Sequence, residues 1–265
     1  MTELLLELLS EEIPALMQKK AAEAYHEIFN KILLDNEVSF DNLKIFTGPR
    51  RITLYVSGLL HVISAKILEI KGPRIDATES VITHFCKTYD IQKDQLTKYD
   101  LCYAYKKHIP ELDIKFLLCD LLPKAITSYS WPKSMHWKDY ALLWVRPLIN
   151  ILCILDNQIL PIKLAHLVAN NFTYGHRFLH ATKLENIQSF HDYQQRLKDN
   201  KVILDNLERK QMIKDQLQDL ARSHNLIIED DPELLEEITG IVEYPTVMIG
   251  KIAEKFLKLP AIILI

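Results

Sequence analysis

The first apolar run, TELLLELL from Thr2 to Leu9, fits a buried strand and a helix segment equally well, because hydrophobic continuity alone does not separate them. After Pro14 the pattern changes. Leu16, Ala21, Ala24, Tyr25, Ile28, Phe29 and Ile32 recur at helical spacing and predict a helix to about Leu34, with proline in its first turn and Glu11 and Glu12 at its positive end. Asn42 to Phe46 and Ile52 to Gly58 are rich in β-branched and aromatic residues and flank the turn signal Gly48-Pro49, which predicts a hairpin. Ala65 to Ile70 continues as a strand that Gly72-Pro73 should stop.

Further along, helical spacing marks Glu79 to Tyr89 and Leu112 to Ser128, and Tyr103 to Lys107 suits a short strand. Tyr140 to Val145 and Leu148 to Leu155 suit strands, with a turn at Asp156-Asn157, and Ile159 to Val168 extends the sheet. Residues 189–223 are highly charged and carry a thin apolar stripe, which predicts one or two long helices. Asp205, Glu208, Arg209, Lys210, Lys214 and Asp215 read there as a solvated face. A short helix is expected over Pro232 to Gly240, with glycine at its end, and a strand broken by Pro245 over Ile241 to Ile249.

These elements imply an α+β fold with antiparallel or mixed sheets, packed helices and a long charged helical segment. The expected organisation is an N-terminal α+β unit over 1–72 and a second α+β region over 73–265. The C-terminal run Pro260-Ala-Ile-Ile-Leu-Ile265 is apolar and uncapped, which suggests a chain cut short.

Composition narrows the chemistry. A net charge of −3 with 48% hydrophobic residues is ordinary for a globular chain, so any nucleic-acid contact must come from local patches. Cys86, Cys102, Cys119 and Cys153 form no C-x-x-C pair and no disulfide-dense pattern, which favours a reducing compartment and argues against a cysteine zinc site. The acidic N-terminus is unlike a signal peptide, and the apolar runs are too short to span a bilayer, so a cytoplasmic location is expected.

No phosphate-binding loop, dinucleotide fingerprint or nucleophile elbow is present, so no catalytic residue is assigned. His176 and His180 are four apart in GHRFLH, but Arg177 stands where a zinc helix would carry glutamate; no metal site is expected, and a polar loop or an RNA or partner contact remains. Arg50 and Arg51 at the Gly48-Pro49 turn could meet a phosphate backbone or form a structural salt bridge. Trp144-Val-Arg146-Pro147 fits a core strand. Trp131 to Trp137 fits either core packing or a base-stacking platform. Glu7, Glu11 and Glu12 are most simply helix N-terminal charge.

Taken in order, several segments resemble one family. ELLSEEIP (Glu7 to Pro14), GPRRI (Gly48 to Ile52), KGP (Lys71 to Pro73), PKSMHW (Pro132 to Trp137), WVRP (Trp144 to Pro147), GHRF (Gly175 to Phe178), VEYP (Val242 to Pro245) and FLKLP (Phe256 to Pro260) resemble the motifs of the β subunit of bacterial two-subunit glycyl-tRNA synthetase. Leu9, His136, Lys138 and Asn150 depart from the family pattern.

The resemblance implies a subunit that supports tRNA(Gly) binding and assembly with an α subunit in an α2β2 heterotetramer. ATP and Mg2+ would be used by that α subunit, and no cofactor bound by this chain. It also implies that the HD-like and anticodon-binding domains of the family lie beyond this sequence. Arg50, Arg51, His176 and Arg177 are the residues expected to contact tRNA or a partner. Other readings are a non-functional or split-gene fragment needing a downstream piece, and a stand-alone editing factor for aminoacyl-tRNA.

Overall fold

The run TELLLELL is a strand, and it lies in the middle of the principal sheet. In the computed structural model, which describes residues 2–256 and 258–260, the main elements in chain order are β1 (Thr2–Ser10), α1 (Ala15–Asp35), β2 (Asn42–Thr47), β3 (Arg51–Leu59), β4 (Lys66–Arg74), α2 (Glu79–Tyr89), β5 (Leu96–Tyr99), β6 (Cys102–Ile109), α3 (Ile114–Ser128), β7 (Leu148–Leu155), β8 (Gln158–Ile159), α4 (Phe190–Asp199), α5 (Asn206–His224) and α6 (Pro232–Ile241). The apolar tail falls outside the described residues from Ala261 onward. The chain divides into two compact units, one made of residues 1–60 and 118–265 and the other of residues 61–117.

In the first unit the strands are ordered β8-β7-β1-β3-β2, and every pairing is antiparallel. A strand buried on both faces has no solvent side to present, which is why β1 shows no alternation of apolar and polar positions and its leucines run on both sides of Glu7. Alternation puts Leu4, Leu6 and Leu8 on one face and Leu5, Glu7 and Leu9 on the other. On the second face, Leu5, Leu152 and Ile154 pack with Leu184, Ile187, Tyr193, Leu197, Val202 and Leu204. α1 lies against β2 and buries the i, i+4 stripe Ala21, Tyr25, Phe29 and Leu33. The Tyr25 hydroxyl donates to the carbonyl of Ile126.

Turn chemistry follows the sequence closely. Gly48 N–H donates to Arg51 O across the β2–β3 hairpin. Asp156 and Asn157 both adopt positive φ between β7 and β8, as a two-residue hairpin turn requires. The charged stretch is two helices, each started by its own cap: Ser189 accepts from Asp192 N, and Asp205 from Leu207 N. The break between them is the buried run Val202-Ile203-Leu204.

Gly240 stands at the end of α6, one residue before its last, as expected; a Cβ there would come within 2.5 Å of Ala15 Cβ, so its small size lets α6 approach α1. Other expectations are corrected. Arg209 is not on a solvated face but is buried. Residues 242–249 form no strand, consistent with the missing donor at Pro245. Of Tyr140 to Val145 only Leu143–Trp144 is strand, paired with Met135–His136.

The second unit is an antiparallel sheet of order β4-β6-β5 with α2 against β4. Gly72-Pro73 does not end β4; the strand runs on to Arg74 past an irregular register between Lys71 and Arg74. No helix among the described residues is long and apolar enough to cross a membrane.

Candidate functional site

Five of the motif segments meet at one corner of the first unit. Main-chain bonds join ELLSEEIP to two others: Ser10 N–H donates to Arg50 O at 2.7 Å, Ile13 N–H to Pro49 O, and Glu11 N–H to Pro147 O at 2.9 Å. Around them GHRF and VEYP are tied in as well. His176 N–H donates to Asn200 O, and Ile203 N–H to Glu243 O. β1 shifts register between Leu9 and Ser10, which turns the chain out of the sheet at this corner.

Beneath the corner lies a buried ion network. Strand register places Thr53 opposite Glu7 and Arg51 opposite Leu9, so Glu7 and Arg51 are diagonal neighbours on one face. Arg51 donates from Nη1 to Glu7 Oε2 and from Nε to Glu243 Oε1, both at 3.0 Å, and from Nη2 to the Tyr174 carbonyl at 3.2 Å. Glu7 also accepts from the hydroxyls of Tyr193 and Thr173, and Tyr193 shares a 2.9 Å bond with Thr53. Glu7 is wholly buried and Arg51 nearly so.

Burial by itself pulls the Arg51 pKa down, but Glu243 and Glu7 outweigh it and hold the pKa above the ordinary value. Burial, reinforced by Glu7, pushes the Tyr193 phenol well up. Thus Glu7 is not helix N-terminal charge, and Arg51 has no surface to offer an external phosphate. Both hold the sheet to α4 and to the segment after α6.

Arg209 is held differently. Its guanidinium donates only to carbonyls: Ile203 O at 2.7 Å, Leu204 O and Thr47 O at 2.9 Å, and Thr239 O at 3.3 Å. Burial is the main cause that lowers its pKa to about 10, against the pull of Glu243 and Asp205. Such a bundle stitches the β2 end, the α4–α5 break and α6 together. Nothing in the local sequence marks Arg209, because its acceptors are main-chain atoms from distant segments.

The remaining expected site residues lie at the rim. Arg177 is about half exposed and pairs with Glu11 at 2.7 Å; Glu11 is therefore an ion-pair partner. His176 and His180 share no helix: both are in a loop, where Nδ1 of His176 accepts from the N–H of Phe178 and Leu179. That fixes the proton of the neutral ring on Nε2. Burial lowers the His176 pKa, helped by Arg50 and Arg51 and opposed by Glu243. Arg50 is 9% exposed, and its Nε is buried without an acceptor.

Other motif residues are structural. Trp131 and Trp144 are buried edge to face at 5.4 Å, and Trp137 donates to Trp144 O. The variant position Asn150 is buried, donating to Phe172 O and accepting from Asn170. A cavity of about 500 Å³ in the second unit is lined by Lys71, Arg74, Tyr99, Asp100 and Tyr103, among others. Among the described residues no three His, Cys, Asp or Glu side chains gather to hold a metal.

Known proteins match this sequence along the chain. The family model described as glycyl-tRNA synthetase beta subunit matches residues 4–265. Glycine–tRNA ligase beta subunits of Rickettsia conorii, Rickettsia bellii and Rickettsia akari are 49%, 48% and 46% identical over all of this chain. The chain spans about two fifths of the length of these relatives, 40%, 41% and 40% in turn. With five of the motif segments meeting at one corner, and the match running from residue 4 to 265, the chain belongs to the glycyl-tRNA synthetase β subunit family.

Proposed function

We propose that this chain serves the β-subunit side of ATP-dependent glycylation of tRNA(Gly), supporting tRNA binding and assembly with an α subunit in an α2β2 enzyme of the cytoplasm. The observation that carries this reading is the family match over residues 4–265. The chemistry of the described site agrees with an accessory role. Arg51, Glu7 and Glu243 are bound to one another, and Arg209 to carbonyls. A buried, internally satisfied ion cluster positions elements and has no free group with which to activate an amino acid. Activation of glycine, with ATP and Mg2+, falls to the α subunit. The groups left for tRNA or the partner are at the rim: Arg50, His176 and Arg177.

The test is glycylation of tRNA(Gly) by this chain mixed with the cognate α subunit, with α alone as control and folding of the chain checked by circular dichroism. Glycylation above the control is the expected result. A folded chain that adds nothing to α, and neither binds it nor tRNA(Gly), would overturn the reading.

A further inference from the structure

We propose that Arg50, together with Arg177 and the Nε2–H of His176, forms a subsite for a phosphate group at the corner where ELLSEEIP, GPRR and GHRF meet. This deepens the reading above and rests on it only for the source of the phosphate, which would be the tRNA backbone rather than free phosphate.

Arg50 is about nine tenths buried, its Nε is enclosed without an acceptor, and among the described residues its guanidinium has neither a hydrogen-bond nor an ion-pair partner. Native folds rarely leave an enclosed N–H in that state, because its desolvation is costly and nothing offsets it. Two carboxylates are in electrostatic range, Glu243 and Glu11, but each is already engaged by another arginine: Glu243 by Arg51, and Glu11 by Arg177.

Geometry places the other donors beside it. Arg50 O accepts from Ser10 N–H, next to Glu11, whose carboxylate holds Arg177. Arg51 Nη2 holds Tyr174 O, two residues before His176. Each of these contacts brings the 174–177 loop to the 48–51 turn. With Nδ1 of His176 occupied as an acceptor, the neutral ring is a donor through Nε2. A forked guanidinium, a second arginine and an imidazole N–H together suit the several oxygens of a phosphate. A carboxylate is a poorer candidate, since the corner already holds two and neither lies on Arg50.

The experiment follows the Arg50 Nε–Hε NMR cross-peak and the thermal midpoint of the chain, wild type and Arg50→Gln, during titration with inorganic phosphate. In parallel, tRNA(Gly) affinity is measured over a range of salt. Arg50→Lys, which keeps the charge without the fork, stands in if the glutamine variant is unfolded. A saturable shift of the wild-type cross-peak, with phosphate affinity reduced on the order of tenfold in the variant, is expected.

If the backbone of tRNA supplies the phosphate, the variant also binds tRNA more weakly, and the slope of affinity against salt falls by about one contact. Phosphate binding with unchanged tRNA affinity supports the subsite and assigns it to free phosphate. Loss of tRNA affinity without phosphate binding supports the RNA source. No response of either ligand to Arg50 overturns the proposal. Because these readouts need no α subunit, a failed glycylation assay leaves them standing, and the converse holds too.

Discussion

Arg51 and Arg50 are neighbours in sequence and opposites in circumstance. Around Arg51 the molecule is sealed: two carboxylates, a carbonyl, and a phenol and hydroxyls completing the acceptors of Glu7. At Arg50 the corner is incomplete: its enclosed Nε lacks an acceptor, and no group among the described residues binds its guanidinium. A buried charge is structural when the fold supplies its partner, and it is a candidate for binding when the fold withholds one. Burial alone does not tell the two apart; the hydrogen-bond inventory does.

Substitutions can break this comparison. Arg51→Met strands Glu7 and Glu243 without a counter-charge and should cost about 3–5 kcal/mol in urea unfolding; a loss under about 1 kcal/mol would mean that the sealed network does not behave as one. Arg209→Met leaves four carbonyls without their donor, and a loss of about 2–3 kcal/mol is expected by the same measurement. Tyr193→Phe removes the phenol from Glu7 and Thr53, with an expected cost of about 1–2 kcal/mol.

The phenol also sets a pH dependence. The folded chain keeps the Tyr193 proton that an unfolded tyrosine releases near pH 10, so this stabilisation is present below pH 10 and lost as pH rises above it. Subtracting the alkaline stability profile of Tyr193→Phe from that of the wild type isolates the effect, since Arg209 is common to both. At the open corner the sign should reverse. Arg50→Met removes a charge that the fold leaves unpaired and should leave the thermal midpoint unchanged or raise stability by about 0.5–1 kcal/mol. Arg177→Gln breaks a half-exposed pair, and the expected change is within about 1 kcal/mol. A large loss at Arg50 would put it with Arg51 and dissolve the contrast.

Local periodicity made much of this fold legible. α2 runs over the residues its spacing predicts, and α1 and the β2–β3 hairpin lie within a residue or two of theirs. Those elements are encoded by near neighbours: i, i+4 stripes, period-two alternation and turn residues. What was not legible is long-range. Glu243 meets Arg51 across 192 positions, and Tyr193 meets Glu7 across 186. The lone Glu7 in a run of leucines was the available sign of the network, since a buried carboxylate on a strand must find a donor. The ordered motifs named segments of which five meet at one corner, without saying which of their residues were structural.

The position of β1 has a consequence for the order of synthesis. β1 needs β3, about forty residues later in the chain, and β7, which begins at Leu148. At roughly 5–20 residues per second, on the order of ten seconds separates Ser10 from the completion of its second neighbour. Throughout that interval Leu4, Leu5, Leu6, Leu8 and Leu9 have an unpaired edge, so the nascent chain carries its most aggregation-prone segment the longest. The centre of the finished sheet is thus laid down before either of the strands that will cover its edges.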